Sequence, residues 1–264
     1  MQFIKYQLNL FFLALGFFSR LPIPNWVTYS SDKLNKANRY FTLVGWLLGG
    51  ILSLFYLLFS LLFAVDIAVW LTLIVSLLLT GVFHEDGLAD TADGFGGGFE
   101  KDKKLQIMKD SRLGTYGAAA LFVVLTGRLL LWENLAQQLV YIIPCVYAIS
   151  RAFAASYLFD TKYVTETGSK SKPLAQQQNI YELLCNLICV VPVLLFLSLP
   201  ALLFILLALL IFRVIYKRIL INQIGGFTGD NLGAAQQISE LICYLAIIAS
   251  VSFSMQNTNM MSIL

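Results

Sequence analysis

The chain has 264 residues, 58% of them hydrophobic and 12% charged, with a net charge of +3. So little polar surface cannot cover a water-soluble globule, and so small and scattered a positive charge leaves no footprint for nucleic acid. The composition predicts an all-α, polytopic helical membrane protein, and with no hydrophilic stretch much beyond about 30 residues it predicts one integral membrane domain over 1–264.

In chain order, residues 3–19 form an apolar run interrupted by Lys5, Gln7 and Asn9, which suits either a span or a helix lying at the interface. Arg20, Pro22 and Pro24 close this run with no small-residue cleavage site, so it is expected to stay in the mature protein. A bilayer core of about 30 Å needs roughly 20 apolar helical residues. Runs at 41–64, 67–83, 115–132, 138–158, 183–199, 200–219 and 236–255 meet that need, giving about seven expected spans. Cys145, Cys185, Cys189 and Cys243 fall in apolar stretches without zinc spacing and read as small buried hydrophobes.

Positive residues are retained on the cytoplasmic side of a membrane. Segments 20–40, 84–114, 159–182 and 213–235 hold 15 of the 18 Lys and Arg, whereas the alternate connections hold none. The pattern predicts that every polar or Gly-rich segment faces the cytoplasm of a bacterial inner membrane. Arg128 and Arg151 lie inside predicted spans, where an arginine is costly enough to be read as functional; both also sit near helix ends and can snorkel.

The densest polar chemistry follows Phe83, in HEDGLADTADGFGGGFEKDKKLQIMKDSRLGTYG at 84–117. Asp86, Asp90 and Asp93 are spaced by four and three residues, so on a helix their carboxylates share one face. Three clustered carboxylates repel one another, and hard oxygen ligands at this spacing suit Mg2+ bridged to substrate phosphates. A solvated acidic helix end would need no metal. Gly87, Gly94 and Gly96 to Gly98 offer a backbone that a phosphate can approach. Glu85 points elsewhere and is a weaker ligand, and His84 is either a general base or an interfacial side chain. Residues 105–112 read as a short amphipathic helix with Lys109 and Arg112 on one face, which suits phosphate binding or plain positive-inside topology. Arg151 is the better phosphate candidate of the two intramembrane arginines. A second cluster, GGFTGDNLGAAQQISE at 225–240, offers Gly226 for a tight turn and Thr228 and Asp230 as ligand or capping oxygens.

HEDGLADTADG, its downstream IMKDSRLGTYG, the GGFTGDNLGAA near the end, and the early FFSRLPIP and YFTLVGWLLGG resemble, in order, the signatures of the cobalamin synthase family. The resemblance covers nearly the whole chain except roughly 160–210, which matches only in hydropathy. It implies the last assembly step of adenosylcobalamin: adenosylcobinamide-GDP and α-ribazole, or its 5'-phosphate, are joined with release of GMP. In that reading Asp86, Asp90 and Asp93, with Glu85 as a further candidate, hold Mg2+ on the diphosphate. Lys109, Arg112 and Arg151, with Gly226, Thr228 and Asp230, would meet phosphate or substrate, and His84 or an aspartate would take the hydroxyl proton. The expected partners are these two substrates and the lipid bilayer, with room for a homo-oligomer or a complex with other cobalamin-assembly enzymes. A CDP-alcohol phosphotransferase fits less well, because Asp86-Gly87 is followed by Leu88, Ala89 and Asp90. A secondary transporter would place such polar breaks nearer the bilayer midplane.

Overall fold

The structure, a computed structural model, describes residues 2–164 and 176–261, with side chains described as far as Ser254. It is helical almost throughout, and the extended pairing among the described residues is an isolated parallel bridge between Tyr163 and Phe227. The helices are α1 (Gln2–Phe18), α2 (Ser31–Ala37), α3 (Phe41–Ser60), α4 (Val65–Thr80), α5 (Phe83–Gly97), α6 (Lys101–Met108) and α7 (Thr115–Asn134). They continue as α8 (Leu139–Ala155), α9 (Tyr157–Asp160), α10 (Ile180–Val190), α11 (Leu199–Ile224) and α12 (Gly229–Met261).

Among the described residues five helical segments are long and apolar enough to cross a membrane: Ser31–Ser60, Thr115–Asn134, Leu139–Asp160, Leu199–Ile224 and Gly229–Ser254. A sixth would be the pair α4 and α5, which meet at an angle of 85°. The outer face of α11 leaves Leu203, Leu207, Leu210 and Ile211 uncovered, a surface that lipid rather than water accommodates. The expected span at 183–199 is not one straight helix. α10 gives way to a 3-10 turn over Val191–Leu195, where Pro192 supplies no N–H to continue an α-helix.

α8 is the central post, with 78% of its span buried. It packs along α3 at close range because Gly45 and Gly49 of α3 carry no side chain. A Cβ on Gly45 would lie 2.4 Å from the Tyr147 carbonyl oxygen, and one on Gly49 would lie 2.5 Å from Cα of Pro144. Small residues one turn apart let two backbones touch, the main way helices bind each other where lipid removes the hydrophobic drive. Pro144 inside α8 lacks the N–H that would bond the carbonyl of Val140. Ser53 of α3 donates its hydroxyl to that carbonyl at 2.6 Å, so the same contact repairs the break.

The junction that aims the acidic segment is strained. Gly81 and Val82 both adopt left-handed backbone, at φ 65° and 62°. For glycine this is free, whereas a β-branched valine there costs about 1–3 kcal/mol. The left-handed pair ends α4 and starts α5 at nearly a right angle, and α5 then runs between α7 and α12. Glycines permit both crossings: a Cβ on Gly87 would meet the Asp230 backbone at 2.8 Å, and one on Gly117 would meet the Ala89 carbonyl at 2.9 Å.

Candidate active site

A helical turn of about 100° per residue spreads the side chains of α5 around its axis, and each sector meets a different neighbour. His84, Gly87 and Thr91 face α12, where Asn231 donates to the Thr91 hydroxyl at 3.0 Å and Gly233 lies over the His84 backbone. Glu85 points between α7 and α12, to Arg128 of α7 at 3.4 Å and Gln237 of α12 at 3.1 Å. Asp86, Asp90 and Asp93 occupy the remaining sector.

Within that sector the three aspartates have different fates. Both oxygens of Asp93 accept backbone N–H bonds, from Gly114 at 2.7 Å and Gly117 at 2.8 Å. A Cβ on either glycine would fall 2.4 Å from the carboxylate, so the GTYG sequence is what lets the start of α7 wrap this buried side chain. Asp86 is exposed and Asp90 half-buried. Asp90 lies close enough to Asp86, Asp93 and Asp230 to feel their charges, and Asp230 likewise feels Asp86. Among the described residues no Lys or Arg forms an ion pair with Asp86, Asp90 or Asp230.

The acidic face thus comes from two helices. Asp230, in the first turn of α12, is held there by its neighbours: Asn231 accepts the Thr228 N–H at 2.8 Å and the Thr228 hydroxyl at 3.1 Å, fixing the helix start. Tyr216 of α11 donates to the Asn231 carbonyl at 3.0 Å. Partly solvated, unpaired carboxylates suit a magnesium ion, which takes one or two protein carboxylates and completes its shell with substrate phosphates and water. They do not form a closed cage: among the described residues no three His, Cys, Asp or Glu side chains are grouped to hold a metal by themselves. Glu85 and Asp93, both expected as ligands, are engaged elsewhere, one by a buried arginine and the other by the backbone.

Several other expectations change in the fold. The expected helix at 105–112 lies instead at Lys101–Met108; Lys109 is its C-cap, and Arg112 follows in an exposed loop. Arg112 pairs with Asp110 at 2.5 Å, and this guanidinium's hydrogen bonds hold the Asp110 carboxyl down to about 2. Arg112 still lines an open cleft of about 510 Å³ whose wall includes Asp93, Gly114 and Tyr116. The glycines after Asp93 are not a phosphate loop. α5 stays helical to Gly97, Gly96 lies against the Tyr116 ring, and Gly94 lies against Met108 of α6. Gly226 serves a chain crossing, since a Cβ there would sit 2.1 Å from the Lys162 carbonyl, beside the bonds that pair Phe227 with residues 162 and 164.

Beneath the acidic face lies a charge network that the sequence only half disclosed. Arg128 ion-pairs with Glu85 at 3.4 Å and Glu240 at 3.2 Å, and Arg151 with Glu240 at 3.3 Å. Gln237 accepts from Arg128, and Gln236 donates to Glu240. All four charged side chains are buried, two positive against two negative, and together they join α5, α7, α8 and α12. Arg151 also hydrogen-bonds the Tyr147 carbonyl at 3.1 Å and stacks over the Tyr147 ring, so much of its donor capacity is spent inside the bundle.

With this geometry in view, the sequence profile of the cobalamin-5-phosphate synthases matches residues 10–248. The chain belongs to that family. Family relatives include the adenosylcobinamide-GDP ribazoletransferase of Vibrio cholerae, 51% identical over 93% of this chain and 95% of its own length. That of Shewanella halifaxensis is 49% identical over 94% and 98%, and that of Vibrio parahaemolyticus is 48% identical over 93% and 94%. No solved structure matches the chain. The residue the sequence reading passed over is Glu240, the shared partner of both arginines; an acid this far along an apolar helix carried the same signal of cost as the arginines did.

Proposed function

We propose that this protein catalyses the last assembly step of adenosylcobalamin, joining adenosylcobinamide-GDP to α-ribazole or its 5'-phosphate with release of GMP. The observation that carries the reading is the unpaired carboxylate face formed by Asp86 and Asp90 of α5 and Asp230 of α12, in a chain whose relatives bear that activity in their names. A hydroxyl oxygen of the ribose attacks the phosphorus on the cobinamide side of the diphosphate. The new P–O bond forms as the bridging P–O bond to GMP breaks, and the hydroxyl proton passes to a carboxylate. No redox partner is required.

Asp86 and Asp90 are the residues that would hold Mg2+, which when bound supplies charge neutralisation on the diphosphate. Asp230 accepts the ribose proton, since it sits across from these two on a separate helix and adjoins a cavity. Arg112, freed from Asp110 by a more highly charged partner, meets the phosphates of the nucleotide from the loop beside the cleft. Asp93 sets the position of Gly114 and Gly117, and so the wall of that cleft. His84, expected as a candidate base, lies buried on the α12 side of the helix and is not assigned the proton. The concentration of Lys and Arg in segments 20–40, 84–114, 159–182 and 213–235 supports an inner-membrane protein whose site opens to the cytoplasm.

One experiment tests chemistry and orientation together. Inverted inner-membrane vesicles given adenosylcobinamide-GDP, α-ribazole and Mg2+ should release GMP, right-side-out vesicles should not, and Asp90→Asn should lower turnover about 100-fold. Unchanged turnover in Asp90→Asn would remove the carboxylate assignment, and activity confined to right-side-out vesicles would reverse the orientation.

A further inference from the structure

Next to the acidic face, and separate from it, α1, α3, α5, α8 and α12 enclose a narrow cavity of about 80 Å³. Its wall is aromatic. Phe18 stacks in parallel on the His84 ring at 5.7 Å and meets Phe41 edge-on at 4.2 Å, while Phe83 meets the same His84 ring edge-on at 5.4 Å. The polar side chains in the wall are few. Gln236 is committed at both ends, to Glu240 and Ser150 through its amide nitrogen and to Gln237 through its oxygen. His84 and Arg151, each 4% exposed, also line the cavity; the His84 Nδ1 and the Arg151 Nε are covered and have no partner among the described residues. A wall this apolar, with its polar side chains covered or committed, suits a flat and largely apolar occupant.

We propose that this cavity is the slot for the flat, apolar base of the ribonucleoside substrate, the benzimidazole of α-ribazole; the inference rests on the activity proposed above. The chemistry of the wall selects among the aromatic groups of the two substrates. A guanine ring carries several donors and acceptors around its edge, more than a wall of aromatic rings with the Tyr163 phenol can satisfy, and burying it here would strand most of them. A benzimidazole bound to ribose has one free ring nitrogen and an otherwise apolar rim, so contact with aromatic side chains and a single hydrogen bond meet its needs.

The position agrees with the chemistry. Gly229 forms part of the wall, and a Cβ placed on it would meet nothing within 4 Å, so this residue borders open space. The next residue is Asp230. A base seated among the rings would leave its ribose at Gly229, with a hydroxyl directed to the carboxylate that takes its proton and to the face that holds the diphosphate.

Gly229→Leu adds a side chain at the mouth, from a position whose Cβ meets nothing within 4 Å, and Ala154→Leu fills the wall from α8. Steady-state GMP release would be measured in detergent with each substrate varied in turn. At least one variant that melts like wild type should raise KM for α-ribazole roughly 10–200-fold, with KM for adenosylcobinamide-GDP unchanged. An unchanged KM for α-ribazole in every variant that folds overturns the slot while the proposed activity stands. A rise confined to adenosylcobinamide-GDP also overturns it, by assigning the cavity to the nucleotide. Absence of GMP release by the wild type would instead overturn the activity on which the slot depends. If both leucine variants fail to fold, direct binding of α-ribazole to the wild type, read by quenching of benzimidazole fluorescence, decides: binding that persists when Phe18→Leu removes the stacking ring overturns the slot.

Discussion

Two neighbouring carboxylates on α5 show how the same chemistry serves opposite ends. Glu85 is buried against Arg128 and Gln237, inside a network whose charges cancel. Asp86, one residue and about 100° further round the helix, is exposed, and among the described residues no cation pairs with it. A paired ion in the interior is a fastener: removing one partner strands the other in a medium that cannot solvate it. An unpaired cluster at the open edge is a poor fastener and a good site, because its repulsion is relieved only by a ligand that arrives from outside.

That contrast can be broken from either side. The largest effect is expected from Glu240→Ala, which leaves Arg128 with Glu85 alone and takes from Arg151 the carboxylate it pairs with. A loss of about 3–5 kcal/mol should appear as a much lower melting temperature in detergent. A variant as stable as wild type would show that the buried network is not structural. Asp93→Asn is the intermediate case, since Asp93 has the sequence position of a ligand and the bonding of a fastener. An amide can accept one of the two backbone N–H bonds but presents an N–H to the other, so about 1.5–3 kcal/mol of stability should go with it, together with activity. Lost activity at full stability would return Asp93 to the metal-binding set. Arg112→Ala should leave the melting temperature unchanged, because the Arg112 side chain is 86% exposed. A few-fold rise in KM for adenosylcobinamide-GDP is expected, and no change in that constant would remove Arg112 from the site. The Asp110 carboxyl, held to about 2, stays charged across any usable assay pH, so the Arg112 effect should be flat with pH.

The comparison also explains which parts of the site were readable beforehand. The shared face of Asp86, Asp90 and Asp93 follows from helical geometry alone. Their division into two open carboxylates and one wrapped carboxylate does not, because it depends on where Gly114 and Gly117 come to rest. The glycines after Asp93 show the same limit from the other direction. In sequence they suit a phosphate loop, yet in the fold they continue a helix and admit Tyr116 and Met108. Glycine reports that something comes close, without reporting what.

By itself the sequence determined the membrane class, the helical architecture and the family, because hydropathy, helical periodicity and ordered motifs are local properties of the chain. The number of full crossings was decided only in three dimensions: Pro192 divides one expected span, and left-handed backbone at Gly81 and Val82 ends another at Thr80 and turns the chain by 85° into α5. Tertiary structure alone brought Asp230 opposite Asp90, gave Arg128 and Arg151 their common partner in Glu240, and enclosed the aromatic cavity around His84. These groups lie on helices far apart in the chain, and what a carboxylate does depends on whether its nearest neighbour is an arginine, a backbone amide or open solvent.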